Sequence, residues 1–537
     1  MKIKSIILLS AIAFFGVSCS KDFLNQPSRT TPTTDNYYDN AEQVNGATGL
    51  LYNSVWNDWS DKAFISVGDV LGGTVTGTQG NSQYNSFYNF NIQSTDGLIT
   101  DTWKSCYKAA GQASVLIQTF LAKKAQIGDQ AFLTQGIAEA RFIRGFAYFY
   151  IGRTFGDAPI VDNPLDLTTS GDAYLIPRYL QKDVLRFALE DLAFAEANLP
   201  EIATQDGRVT KYSAKGLMAK IYLYLKDYEN ARLKAKEVID YAEGAGRLGL
   251  MDNYQAMFTS SQVANFNNKE SLFSLRWLSS MGWNGGNRYQ LYVGPQPLLK
   301  PKPTGGNGYS AVVPSFDMLD PETGYEVGDM RRGASVMEQG FHRDDWVNEN
   351  FPNGFTYDTT GRITDDHFIF TGTRSNIQKY VVGPNRTGEP VTSDSHTSMC
   401  TYILRYADVL LIYSEAIMAG ANSTSDAQAL KYFNMVRRRA GFGPSVDKTS
   451  ITNDMMIHER KVEFAFEGDF WFDIQRQGFD KAKQIIANQE RGTLGGDGSL
   501  TSFKATLTSP SQLFLPPPQA ETVINPKLLE PAVPFYQ

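Results

Sequence analysis

HERKVEFAFEGDFWFDIQR, residues 458–476, is the stretch whose reading decides the fold. Val462, Ala465, Phe466 and Phe470 recur at helical spacing, so the segment reads as one helix with an apolar face turned to a core. Glu459, Arg460, Lys461, Glu463, Glu467, Asp469, Asp473 and Arg476 load the rest of it with charge. So many charges beside so many aromatics imply that the charges pair across elements, because a lone charge beside a core is costly.

Helical periodicity recurs outward from this segment. In 212–240, Ala214, Leu217, Met218, Ile221, Tyr222 and Leu225 share one face. A turn at Lys226-Asp227 follows, then a second helix facing back through Tyr228, Ala231, Ala235, Val238 and Ile239. Small alanines at the crossing let the two helices approach closely, in the manner of a tetratricopeptide unit. Three more pairs are expected: 36–57 with 99–122, 130–153 with 178–198, and 402–419 with 425–440. No strict period links them, so the scaffold is a mainly α, degenerate helix-pair fold with insertions. The long insertion 244–401 and the shorter 60–98 are rich in Gly, Asn and aromatics with little helical period, which marks them as functional loops.

Lys2 and Lys4 precede the apolar run Ile6–Val17, too short to cross a bilayer as a mature helix. This is a secretory signal over 1–18, and Cys19 after Gly16 and Ser18 is the expected lipidation site. The polar, Pro- and Thr-rich stretch 19–34 reads as a tether, followed by a single domain over 35–537 with its helical scaffold at 35–243 and 402–476. The formal net charge is −7, and no basic run exceeds Arg437-Arg438-Arg439, which argues against nucleic acid as a partner. Cys106 and Cys400 are left either to pair or to stay as buried thiols.

Motifs for catalysis and cofactors are not met. GAGRLG at 244–249 follows a helix where a dinucleotide fingerprint needs a strand. His458-Glu459 begins a zincin motif, but Val462 stands where the second His belongs. Glu459, Glu463 and Glu467 lie on one helix among arginines, not as two carboxylates flanking a cleft. No cofactor and no metal is expected, although Asp344-Asp345 and Asp365-Asp366 have the oxygens a Ca²⁺ ion takes.

Four separated segments carry a family resemblance. These are AEARFIRGFAYFYIGRTFGDAPI (138–160), YILRYADVLLIYSEA (402–416), the closing pattern I.ER..EFAFEG.FWFDI.R (457–476) and LFLPPPQAETVINPKLLEP (513–531). In this order they resemble the SusD/RagB family of nutrient-binding outer-membrane lipoproteins. The resemblance implies four tetratricopeptide-like helix pairs, acylation (palmitate) at Cys19, and non-catalytic capture of a glycan at the cell surface. It further implies delivery to a SusC-like, TonB-dependent transporter, with the chain as a hinged lid whose helical face meets the barrel. Alternatives are a peptide-binding lid of the RagB type and a lipid-anchored glycan hydrolase.

A glycan offers flat C–H faces and hydroxyls, so its site needs exposed aromatic platforms and a few polar groups. Segment 277–292, WLSSMGWNGGNRYQLY, has that composition. Trp283 stands at a Gly/Asn-flanked loop tip, Tyr289 and Tyr292 follow, and Asn287 and Arg288 are donors. Trp277 continues an alternating run and reads as half-buried strand. Tyr84, Tyr88 and the upstream Asp69 in the other loop, and Trp346 in HRDDWVNEN, complete the expected ligand-binding set.

Overall fold

The computed structural model describes residues 37–77, 82–168, 171–259, 268–295, 298, 308–347, 351–359, 372–384, 396–495 and 497–536. The 1–18 signal, Cys19, the 19–34 tether and Asp365-Asp366 lie outside the described residues.

Helix α1 (Ala41–Gly49) runs on as short 3-10 turns to Trp56. Then come α2 (Gly97–Ile127), α3 (Ala131–Phe155), α4 (Gln181–Asn198), α5 (Lys211–Tyr224) and α6 (Tyr228–Ala245). Side-chain caps set their starts: Asp96 accepts from Leu98 N, Thr210 from Ser213 N, and Asp227 from Asn230 N. Consecutive helices pack on one another from α2 through α6, then α7 (Tyr406–Met418) and α8 (Ala427–Arg439) continue the stack. Ala231 and Ala235 are buried at the α5–α6 crossing, as their size requires. The first pairing differs from the expected one. The antiparallel partner of α2 is α3, reached through the short link 128–130, and α1 packs chiefly on α3, with Val44 against Gly136.

The 244–401 insertion is closed at its base by a two-stranded antiparallel ladder. Strand β2 (Ser271–Leu275) pairs with β4 (Thr401–Arg405), and Leu272 and Leu404 both pack at Gly216 of α5. A smaller ladder joins β1 (Val75–Gly77) to β3 (Val312–Pro314), which ties the two loop regions together. Cys106 and Cys400 are both free and buried, and burial pushes both thiols up.

The closing segment is not one helix. Helix α9 (Asn453–Glu463) stops, 464–469 turns, and α10 (Phe470–Gln475) restarts. Phe466 and Gly468 both take the left-handed conformation, with φ of 64° and 70°. Gly468 is needed there for a second reason: a Cβ on it would stand 2.3 Å from the Phe64 ring, and Gly68 in turn leaves room for the Gly468 backbone. Distant side chains satisfy the peptide groups the break frees. Glu463 O accepts from Tyr254 Oη (2.7 Å) and Arg405 Nη2 (3.0 Å). Ala465 O accepts from Lys379 Nζ (2.9 Å), and Phe466 O from Tyr289 Oη (3.0 Å). Gly468 N donates to Asp69 Oδ2 (3.1 Å).

The charges of this segment do pair across elements. Arg331 bridges Glu459 (2.7 Å) and Glu463 (2.8 Å), and Arg405 bridges Glu463 (2.8 Å), Glu467 (2.7 Å) and Glu270 (2.5 Å). Arg439 of α8 reaches Glu270 and Glu463. On the other side Arg460 holds Asp408 (2.8 Å) and Asp473 (2.7 Å), while Lys220 of α5 and Arg153 of α3 meet at Asp469. Burial alone would raise the Glu463 carboxyl; the Arg439, Arg405 and Arg331 guanidiniums outweigh it and hold the group well below the usual range. The fold is therefore locked where α3, α5, α7 and α8 converge on the broken helix. Among the described residues no helix is long and apolar enough to cross a membrane.

Candidate functional site

The loop that follows β2 supplies the most accessible aromatic of the expected set. Trp277 is fully buried, with Nε1 donating to Thr401 Oγ1 at 3.0 Å, so it anchors the loop and is more enclosed than a half-buried strand residue. Leu278 N donates to Gly285 O (2.8 Å), and the chain between them forms a 3-10 turn, Ser279–Asn284. This turn carries Leu278, Met281 and Trp283 outward, and Trp283 is 49% exposed. Asn287 pins the return: its backbone exchanges two 2.8 Å hydrogen bonds with Thr397, and its Nδ2 donates to Met399 O (2.8 Å). Arg288 lies beneath the tip, with Cζ 4.9 Å from the Trp283 ring centre and Nη2 donating to Asn57 O (2.9 Å). The indole is thus backed by a fixed cation and presents its other surface to solvent.

A second edge adjoins it. Lys62, beyond Asn57 on the same segment, stands 5.4 Å from the Tyr292 ring and donates to Gln83 Oε1 (2.8 Å). The Tyr292 ring lies 6.0 Å from that of Tyr309, which is 48% exposed. The 60–98 and 244–401 regions therefore do meet here, and Tyr309 is a further exposed aromatic of the insertion. Tyr309 was missed because only the flanking glycines of GNGYS marked it, the same signal that marks Trp283.

Seven other expected platform or polar residues are not presented to solvent. Tyr289 and Asp69 are buried because they hold the broken helix, as described above. Burial pushes the Asp69 carboxyl up to about 7, against hydrogen bonds from Thr74 Oγ1 (3.0 Å) and Gly468 N. Tyr292 is buried under Lys62 and Tyr309, and Tyr84 is fully enclosed in the core. Trp346 is 1% exposed, packed among Phe341, Phe355 and the Arg343 guanidinium. Asn287 and Arg288 are likewise buried, so they shape the loop from beneath. Tyr88 is half-buried, its ring stacked on Phe503 at 4.6 Å and its hydroxyl on Arg491 O. Of the acidic doublet at 344–345, Asp344 is bonded to His342 Nε2 (2.8 Å) and Asp345 to Arg343 (2.7 Å).

Two family models match the chain. Residues 269–536, which include the Trp283 loop and the broken helix, match the model of the SusD family. Residues 22–223 match one described as "Starch-binding associating with outer membrane". The chain belongs to the SusD family. A SusD-like protein of Bacteroides ovatus is 29% identical, over all of this chain and 98% of that protein. The starch-binding protein SusD of Bacteroides thetaiotaomicron is 23% identical over 67% of each chain. A crystal structure solved with xylogluco-oligosaccharide superposes with a TM-score of 0.76 at 29% identity, covering 92% of this chain and 99% of that one. A laminarin-binding SusD-like protein shares the fold, with a TM-score of 0.67 at 21% identity over 91% and 98% of the two chains. The mainly helical scaffold with few, short strands is thus the SusD-family fold, and the Trp283 loop lies in the connection between α6 and α7.

Proposed function

We propose that this SusD-family chain is a non-catalytic glycan-capture lipoprotein of the outer membrane. It takes an oligo- or polysaccharide on the Trp283–Tyr309 edge and delivers it to a SusC-like, TonB-dependent transporter. The observation that carries the proposal is the Trp283 ring, half-exposed and backed by Arg288. An aromatic face held rigid by its neighbours stacks on sugar C–H groups with little ordering cost. The relative crystallised with xylogluco-oligosaccharide supports a β-glucan-type backbone as the first ligand to try. Against hydrolysis, Glu459, Glu463 and Glu467 are buried and held in arginine pairs, not poised as two free carboxylates.

Affinity electrophoresis against a polysaccharide panel that includes xyloglucan tests this. Trp283→Ala removes retention of any polysaccharide that the parent retains, with little change in melting temperature, since loss of a central aromatic anchor costs roughly 2 kcal/mol. Unchanged retention takes Trp283 out of the site. Retention that falls steeply with salt assigns the binding to Arg288 and an acidic glycan. Anchoring is tested separately: Cys19→Ala abolishes fatty-acid labelling and releases the protein from the membrane fraction, because the thiol is the acylated group. Labelling that persists in this variant rules the lipid anchor out.

A further inference from the structure

A second concave site lies away from the Trp283 edge and shares no residue with it. Two of the segments that carry the family resemblance, 138–160 and 513–531, meet there around a cavity of about 490 Å³. The C-terminal end of α3 forms its floor. Gly156 leaves the helix with φ of 71°, and the Phe514 ring packs so closely over it that a Cβ would stand 3.2 Å from the ring. Leu515 N donates to Thr154 O (2.8 Å) and stitches the tail to the helix. Phe90, Phe155, Phe514 and Pro516 supply ring-shaped apolar walls.

Three polar side chains complete the lining. Asp157 uses Oδ1 to accept from Gln181 N (2.8 Å), which leaves Oδ2 open. Gln181 donates through Nε2 to Gly152 O (2.9 Å), which leaves its Oε1 open. Arg178 donates through Nη2 to Glu530 O (2.7 Å), and its side chain lines the cavity. Covering the open oxygens of Asp157 and Gln181 is costly unless a ligand donates to them.

These features discriminate among ligand classes. An anion would face the Asp157 carboxylate. A purely apolar ligand would cover Asp157 Oδ2 and Gln181 Oε1 without donating to either. A neutral ring with C–H faces for the aromatic walls, and hydroxyls that both donate and accept, satisfies every group named. The volume is in the range of small-molecule sites. We infer that this pocket binds a pyranose residue and is a second glycan contact of the chain. The inference rests on the proposed glycan capture only for the source of that sugar.

Saturation-transfer NMR on the full chain with D-glucose, D-xylose and D-galactose as probes tests it in a Trp283→Ala background. Transfer from at least one sugar persists in that background. Adding Phe514→Ala weakens it about tenfold, as loss of one stacking face does. Adding Arg178→Met does the same while keeping the apolar stem, so the test holds if Phe514→Ala fails to fold. No transfer from any of the three sugars, or transfer unchanged by both pocket substitutions, overturns the inference. The outcomes separate from those of the proposed function. Polysaccharide retention that depends on Trp283 stands without pocket binding. Phe514-dependent transfer in a chain that retains no polysaccharide keeps the pocket and removes the capture role.

Discussion

Trp283 and Tyr289 belong to one Gly- and Asn-rich segment, yet one presents its ring to solvent and the other is buried. The difference lies in distant partners: Tyr289 Oη finds the Phe466 carbonyl that the break in the closing helix leaves open, whereas the Trp283 ring is backed by Arg288 and stays half-exposed. Local composition marks a loop aromatic as available; which aromatic is drawn inward depends on a carbonyl far along the chain. Asp69 shows the same effect with a titratable group. Its carboxyl is pushed up to about 7 by burial, so the folded state holds its proton more tightly than the unfolded chain does. That contribution to stability is complete below the unfolded value near 4 and is lost as pH rises through about 7. The stability difference between parent and Asp69→Asn, measured by urea unfolding across pH 4–8, therefore shifts against the parent as pH rises. A pH-independent difference contradicts the assignment. His458, which burial lowers, titrates in both proteins and cancels from the comparison.

At the scale of elements, the α5–α6 hairpin was legible because everything that makes it is local. Its apolar stripes, its turn and the capping Asp227 lie within one short stretch of chain. Ala231→Leu or Ala235→Leu overpacks this crossing, where both alanines are wholly buried, and lowers stability by roughly 1–3 kcal/mol in urea unfolding. Unchanged midpoints for both would contradict the close approach of the two helices. The closing segment was legible only in part. Its helical period is real on both sides of the break, but a period does not reveal an interruption that outside groups stabilise. The break persists because Lys379, Arg405, Tyr254 and Tyr289 satisfy the freed carbonyls, and three of these come from the loop-rich insertion. The pairing of α2 with α3 in place of the 36–57 segment has a similar cause: all of these helices have compatible apolar faces, and the short link after α2 selects the partner.

At the scale of the whole molecule, one ion-pair cluster joins the broken helix to the insertion and a second joins it to the helical stack. Arg405, in β4, touches Glu270, Glu463 and Glu467, and all four groups are buried. Arg405→Met leaves carboxylates enclosed without their shared cation, which costs about 3–5 kcal/mol. A large fall in the urea midpoint is expected, and a fall below about 1 kcal/mol would mean that Arg331 and Arg439 carry the cluster alone. The sequence by itself determined the mainly helical scaffold, the family and the cross-element pairing of the charges at 458–476, since these follow from local period, order of motifs and the cost of burying unpaired charge. It also marked Trp283, through the turn-forming residues around it. Only the tertiary structure decided where the closing helix breaks and which loop aromatics, Trp283 and Tyr309 among them, are left at the surface. Those outcomes depend on which buried carbonyl or carboxylate lies opposite each side chain, and groups that meet across several hundred residues leave no trace in the local pattern.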